Sequence, residues 1–450
     1  MKATEAVMIS RDISRRNLLG LGLGLGAGAA LAGCAPATSN PNAGPTLPPA
    51  DGPVRLTYWS WLKDLQVVCD IWNEANPDVQ VEAVWIQGGN AGGYQKLFSA
   101  LASGGGPDIG QVEFRQIPAF LLVNGLVEIG RYGMGEVTDR YDEALINQIT
   151  FNDGMFGVPQ DSGPVGFYYR HDLFDSIGAQ PPGTWEEWLE LAREVRTTGA
   201  YLEAFDVGDT SPFAAYATQA GANWWQIDGD SWVVNMTDEA TLEVADFFDR
   251  AVDEDLLHTG FGPYSPGWFA AAGNDQIFAA TGASWADALI QGVAATEGLW
   301  HVAPMPAWAQ GFGSTYLGGS TAAVMANTRY PAEALDFCIW MTTSEEGIDA
   351  MIEHCGIGWS PSPDFIGSSR REPSEFFGGQ NYNEEVFVPA ADQQNLEWTW
   401  APTTQRVFDI LGDGFRRKLT AGQSFVTSMH EAEEATVKVL ADTGLNVRSA

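Results

Sequence analysis

The chain has 450 residues, enough material for two or three domains. Its hydrophobic fraction of 45% is ordinary for a soluble globular protein. With 58 acidic against 23 basic residues the formal charge is −35, which excludes a surface suited to nucleic acid or anionic lipid headgroups.

Ser14-Arg15-Arg16-Asn17-Leu18-Leu19 resembles a twin-arginine export signal. The apolar run from Leu18 to Ala32 is shorter than the ~20 residues that span a bilayer. It ends in Leu31-Ala32-Gly33-Cys34, which resembles a bacterial lipobox with Cys34 as the lipid-modified first mature residue. Residues 1–33 therefore read as an export signal. Residues 34–53 read as a lipidated flexible tether, rich in Pro, Ala, Gly, Asn and Thr. Cys69, Cys338 and Cys355 form no C-x-x-C pair, so their spacing settles no disulfide.

Val54, Leu56 and Tyr58 alternate as a first strand that ends in Trp59-Ser60-Trp61. Leu65, Val68, Cys69 and Trp72 give a helix, and Val79 to Trp85 a second strand. Tyr94, Leu97, Phe98 and Leu101 give a second helix, and Asp108 to Val112 a third strand. This β-α-β-α-β order predicts a doubly wound parallel sheet, with ligands beyond the carboxyl ends of its strands.

Phe156 to Phe174 holds an extended entry, a polar bend from Gln160 to Pro164 and an alternating strand from Val165 to Tyr169. A polar bend between two apolar segments reads as a crossover between lobes. Thr184 and Glu187 have capping-box spacing ahead of a helix. Thr237 opens another helix, and Ala220 to Trp225 forms a Gly-led loop between the two. Gly298 to Pro306 reads as a strand leaving the second lobe, and Gly318-Gly319-Ser320 leads into a strand of small residues. Two helices follow, at 332–342 and 344–353, and two more lie between Trp398 and Gly444.

Tyr94-Gln95-Lys96-Leu97, Pro107-Asp108-Ile109, Gly125-Leu126-Val127, the crossover from Gly157 to Phe174, Thr184-Trp185-Glu186-Glu187-Trp188, Val302 to Pro306 and Gly318-Gly319-Ser320 occur in order behind the lipobox. Together they resemble the extracellular solute-binding proteins of ABC importers, the group of maltose-binding protein. The resemblance implies a periplasmic-binding-protein-like α/β fold of two doubly wound lobes joined by crossing hinge segments. It implies residues 54–160 plus 319–359 as lobe one and 161–318 plus 360–450 as lobe two. It also implies two permease subunits and an ATPase as partners, no catalytic residues and no cofactor or metal. The chain is expected to act as a monomer held by Cys34 on the outer face of the cell membrane.

A sugar ring has an apolar face, which suits Trp, and a hydroxyl rim, which suits planar polar side chains. Seventeen Trp are more than a core needs. The expected ligand contacts are Trp59, Trp61, Glu113, Phe114, Arg115, Gln160, Asp161, Asn223, Trp224, Trp225, Trp285, Asp287, Gly319, Ser320, Trp398 and Trp400. No phosphate loop, H-E-x-x-H or G-x-S-x-G motif occurs. The open alternatives are a glycoside hydrolase built on an unseen carboxylate pair, a cell-surface carbohydrate-binding protein, and the same fold with a non-sugar ligand.

Overall fold

The computed structural model describes residue 42, residues 45–89 and residues 92–450. The export signal, Cys34 and part of the tether lie outside the described residues. The described end of the tether is docked instead of free. Leu47 N donates to the Tyr132 hydroxyl (3.0 Å) and Ala50 N to Glu333 Oε1 (2.5 Å).

Two α/β lobes make up the fold. The first is built on a five-stranded sheet in the order Val79–Trp85, Val54–Ser60, Ile109–Glu113, Ser320–Val324, Val158–Asp161. The first three strands are parallel, as βα connections dictate. Ser320–Val324 returns from far along the chain and runs antiparallel to both neighbours, so the sheet is mixed. Helix Leu65–Ala75 covers the sheet with Leu65, Val68, Cys69 and Trp72 buried on one stripe. Large apolar side chains of this kind contribute ~1.5–3 kcal/mol each on burial.

The second lobe centres on strand Val165–Arg170, flanked by Ala279–Ala283 and Trp300–Pro304, both antiparallel to it. The expected capping box is present: Glu187 N donates to Thr184 Oγ1 and Thr184 N to Glu187 Oε2, starting helix Trp185–Arg196. The next long helix, Glu239–Asp253, is capped by Asp238 and not by Thr237, whose hydroxyl donates to Glu433 instead. Helices Thr404–Ala421 and Phe425–Asp442 pack with it. Buried Lys418 lies 2.9 Å from Asp249 and 2.7 Å from Asp253. The helix expected over 344–353 is α-helical only through Ala350. It then widens into the π-helical turn Met351–Cys355. Cys69, Cys338 and Cys355 are all free and buried.

Candidate functional site

Strand Ile109–Glu113 ends in Glu113-Phe114-Arg115, and these residues form one wall of a cavity of about 300 Å³. Gly318 and Gly319, just before the returning strand, continue that wall. Gly319 has φ +97°, and a Cβ there would lie 2.8 Å from the Phe114 ring, so glycine alone lets the crossing pass this close. The opposite wall comes from the second lobe. It holds Glu203 and Phe205, Tyr216 on helix Ser211–Ala220, Tyr264, Thr281 on strand Ala279–Ala283, and Trp285. Tyr316, Trp400 and Phe408 complete the enclosure. A mostly apolar lining with a few placed polar groups is the composition of a small-molecule site.

The charged groups in the walls are already engaged. Glu113 Oε2 accepts from the Tyr94 hydroxyl at 2.6 Å. Its Oε1 accepts from Arg115 Nε (3.2 Å) and Nη2 (3.1 Å). Arg115 Nη1 donates to Gln405 Oε1 at 3.1 Å, which ties the end of the first sheet to helix Thr404–Ala421. Glu203 Oε1 accepts from Trp188 Nε1 (2.7 Å) and Thr281 Oγ1 (3.0 Å), and Oε2 from Thr281 N (2.6 Å). Burial pushes the Glu203 pKa above the ordinary carboxylate value, against the pull of these donors.

Two phenols in the wall are not engaged. The hydroxyls of Tyr264 and Tyr316 are buried and have no hydrogen-bond partner. Tyr264 also has φ +59°, a conformation that costs a bulky residue about 1–3 kcal/mol. Its ring packs 5.1 Å from Trp268 and 5.8 Å from Trp285. A Cβ on Gly282 would collide with its hydroxyl. An unmade buried hydrogen bond costs about 1–3 kcal/mol.

Behind the cavity the two crossing segments are joined by a polar chain. Ser320 N (2.5 Å) and Oγ (2.8 Å) both donate to Asp161 Oδ1. Ser320 Oγ accepts from Gln160 Nε2 (2.9 Å) and Gln111 Nε2 (3.0 Å). Tyr58 donates to Gln160 Oε1, and Ser60 Oγ to Gln111 Oε1 at 2.7 Å. Burial raises the Asp161 pKa to about 6, with the Ser320 donors opposing.

Of the residues expected from the sequence, Glu113, Phe114, Arg115, Trp285, Gly319 and Trp400 line the cavity. Gln160, Asp161 and Ser320 belong to the crossing network behind it. Trp59 lies under the Lys96 ammonium (4.4 Å), and Trp61 packs edge-on against Tyr94 (5.9 Å), both outside the lining. Trp224, Trp225 and Trp398 are a correction: they are buried together in the core, with ring centroids 5.4–5.7 Å apart. Trp224 Nε1 donates to Thr241 Oγ1 (2.8 Å), and Trp225 opens a strand that pairs with Ser231–Val234. Asn223 Nδ2 is spent on the Glu397 carbonyl (2.9 Å). Asp287 is likewise structural, buried against Arg370 and accepting from the Tyr382 hydroxyl at 2.7 Å. Glu203, Tyr216, Tyr264, Thr281 and Tyr316 were not expected. Only the Gly262-Pro263-Tyr264 turn and the place of Tyr316 beside Gly318-Gly319 offered a local signal.

Among the described residues no group of three or more His, Cys, Asp or Glu is placed to hold a metal ion. The family model described as bacterial extracellular solute-binding protein matches residues 59–348. A lactose-binding protein of Rhizobium radiobacter is 25% identical over 349 residues, covering 72% of this chain and 79% of its own. The galacto-N-biose/lacto-N-biose I-binding protein of an ABC transporter from Bifidobacterium longum, solved with lacto-N-biose, superposes with a TM-score of 0.79 at 23% identity. It covers 89% of this chain and 100% of its own. A binding protein from B. animalis subsp. lactis, solved with β-1,6-galactobiose, gives a TM-score of 0.72 at 23% identity over 88% of this chain and 99% of its own. These two structures share the fold.

Proposed function

Because the chain belongs to the bacterial extracellular solute-binding protein family, we propose that it captures a neutral di- or oligosaccharide between its lobes and hands it to an ABC importer. The observation that carries this reading is the cavity. It sits at the carboxyl end of the parallel strand Ile109–Glu113, has aromatic walls, and keeps two unpaired phenol hydroxyls. Aromatic faces suit the C–H side of a pyranose, and free hydroxyls suit its rim. The acidic wall, with its one arginine paired to Glu113, weighs against an anionic ligand. Glu113 and Glu203 both accept several hydrogen bonds, which supports binding over hydrolysis.

The lobes are assigned as 54–160 with 319–359, and 161–318 with 360–450. Support comes from Ser320–Val324 lying inside the first sheet and from helix Thr404–Ala421 being paired to Asp249 and Asp253. Among the described residues no helix is long and apolar enough to cross a membrane. In this reading Cys34 carries the anchoring lipid, the monomer works outside the cell membrane, and two permease subunits with their ATPase receive the sugar.

The test is calorimetry with lactose, lacto-N-biose and β-1,6-galactobiose, followed by chromatography of the recovered sugar. Binding with the sugar unchanged is expected. Turnover would place the hydrolase reading first, and no binding to any neutral sugar would end the carbohydrate reading.

A further inference from the structure

Four carboxylates and one guanidinium line the aromatic cavity: Glu113, Glu203, Asp206, Asp209 and Arg115. Among the described residues no lysine or histidine does. The Arg115–Glu113 ion pair (3.1 Å) cancels within itself, so the wall keeps three formal negative charges. Glu203 is buried and held by neutral donors alone, the Trp188 indole and the backbone N and hydroxyl of Thr281. Asp206 and Asp209 are exposed at the mouth. Asp206 Oδ1 accepts from Gly208 N (2.7 Å) and Asp209 Oδ1 from Ser211 N (3.0 Å). Among the described residues none of these three carboxylates is in an ion pair.

Hydrogen bonds from neutral dipoles stabilise a carboxylate but leave its charge without a counter-charge. In a partly enclosed site such a charge attracts a cation more strongly than it would in open water. The rings of Tyr216, Trp285 and Trp400 add a second attraction, because the face of an aromatic ring is negative. Tyr316 adds an independent feature. Its side chain is 6% exposed, and its hydroxyl oxygen has no partner. An ammonium group brings three N–H donors that such an oxygen accepts. We infer that the cavity selects an amino sugar, whose ring carries a protonated amine, over the neutral sugar of the same shape. This rests on the carbohydrate reading and extends it. The neutral sugar fits the same aromatic walls, and the ammonium adds the counter-charge that the wall lacks.

The test is calorimetry on the full chain at about pH 6.5, where an exposed carboxylate is ionised and a sugar amine is protonated. The probes are lactose, lactosamine and N-acetyllactosamine, of which lactosamine alone carries an ammonium. Lactosamine should bind about tenfold tighter than either neutral sugar. Raising salt from about 0.05 to about 0.5 M should shrink that preference by screening Asp206 and Asp209, and should leave lactose affinity unmoved. The double variant Asp206→Asn/Asp209→Asn keeps both oxygens that accept from the backbone, so it should fold normally. It should cut the lactosamine-to-lactose affinity ratio about threefold. Glu203→Gln should lower the ratio by a second route, and the Asn pair decides the matter even where that buried change impairs folding. Equal affinity for the three sugars, or a preference that neither salt nor the Asn pair reduces, overturns the selection for an amine while the carbohydrate reading stands. No binding by any of the three, with or without binding of spermidine, overturns both.

Discussion

Asp161 Oδ1 accepts two hydrogen bonds from one residue, the backbone N and the hydroxyl of Ser320. One partner ends the strand by which the chain leaves the first sheet, and the other begins the strand by which it returns. The two crossings are clasped at a single carboxylate oxygen, and burial shifts the titration of that carboxylate upward. Burial lifts its pKa from the ordinary 3.8 to about 6. Between those values the native state holds a proton that the unfolded chain has released. Stability from this group is complete below pH 3.8 and is lost as pH rises through about 6. Asp161→Asn keeps the accepting oxygen and removes the titration. Urea midpoints at pH 4 and pH 7 should show the parent losing about 1–2 kcal/mol more than the variant, allowing for partial exposure. Equal pH slopes would show that Asp161 titrates normally.

Tyr264→Phe and Tyr316→Phe each delete a buried hydroxyl that has no partner. Neither should destabilise the ligand-free protein, since no hydrogen bond is lost. Each should weaken sugar binding by about 5- to 10-fold, the net worth of a hydrogen bond made only with ligand. Paired melting curves and calorimetry check this. Unchanged affinity in both variants would remove the phenols from the site.

Gly282 and Tyr264 should be coupled. Gly282→Ala drives a methyl group into the Tyr264 hydroxyl and should cost about 1–3 kcal/mol by overpacking. In a Tyr264→Phe background the hydroxyl is gone and only the Ala286 Cβ, 3.1 Å away, stays tight, so the same change should cost about 1 kcal/mol less. Additive effects in this double-mutant cycle would mean that the strand, and not the ring, yields.

Trp224→Ala and Trp225→Ala should each cost about 3–5 kcal/mol of stability, as expected for emptying a packed aromatic core. Trp400→Ala removes a side chain that lines the cavity and should weaken binding in addition to its packing cost. Chemical denaturation with calorimetry on the folded fraction separates the two. Normal stability in either Trp224 or Trp225 variant would contradict its burial.

The contrast between these tryptophans shows where sequence reading reaches its limit. The parallel strands, the crossover at 156–174 and the Thr184 capping box all have local patterns, and each forms as expected. That Glu113, Phe114 and Arg115 line a cavity was also legible, because they lie at the carboxyl end of a parallel strand. A Trp doublet after Gly221 looks exposed because the aromatic side chain packed on both rings lies far along the chain. Its cover is Trp398, more than 170 residues later, and the Ser231–Val234 strand. Glu203, Tyr264 and Tyr316 were missed for the converse reason. Each is an isolated polar or aromatic residue whose role is fixed by which distant segment faces it. No spacing within the chain encodes that.

The position of Ser320–Val324 in the first sheet has a consequence during synthesis. It fills the gap between Ile109–Glu113 and Val158–Asp161, so those strands emerge with no neighbour on their facing edges. Ribosomes add ~5–20 residues per second. The roughly 210 residues between Glu113 and Val324 then correspond to about 10–40 seconds of elongation. Throughout that interval the nascent chain presents an open, hydrogen-bond-hungry sheet edge. It is in this window, before the returning strand arrives, that the polypeptide is most exposed to strand-mediated self-association.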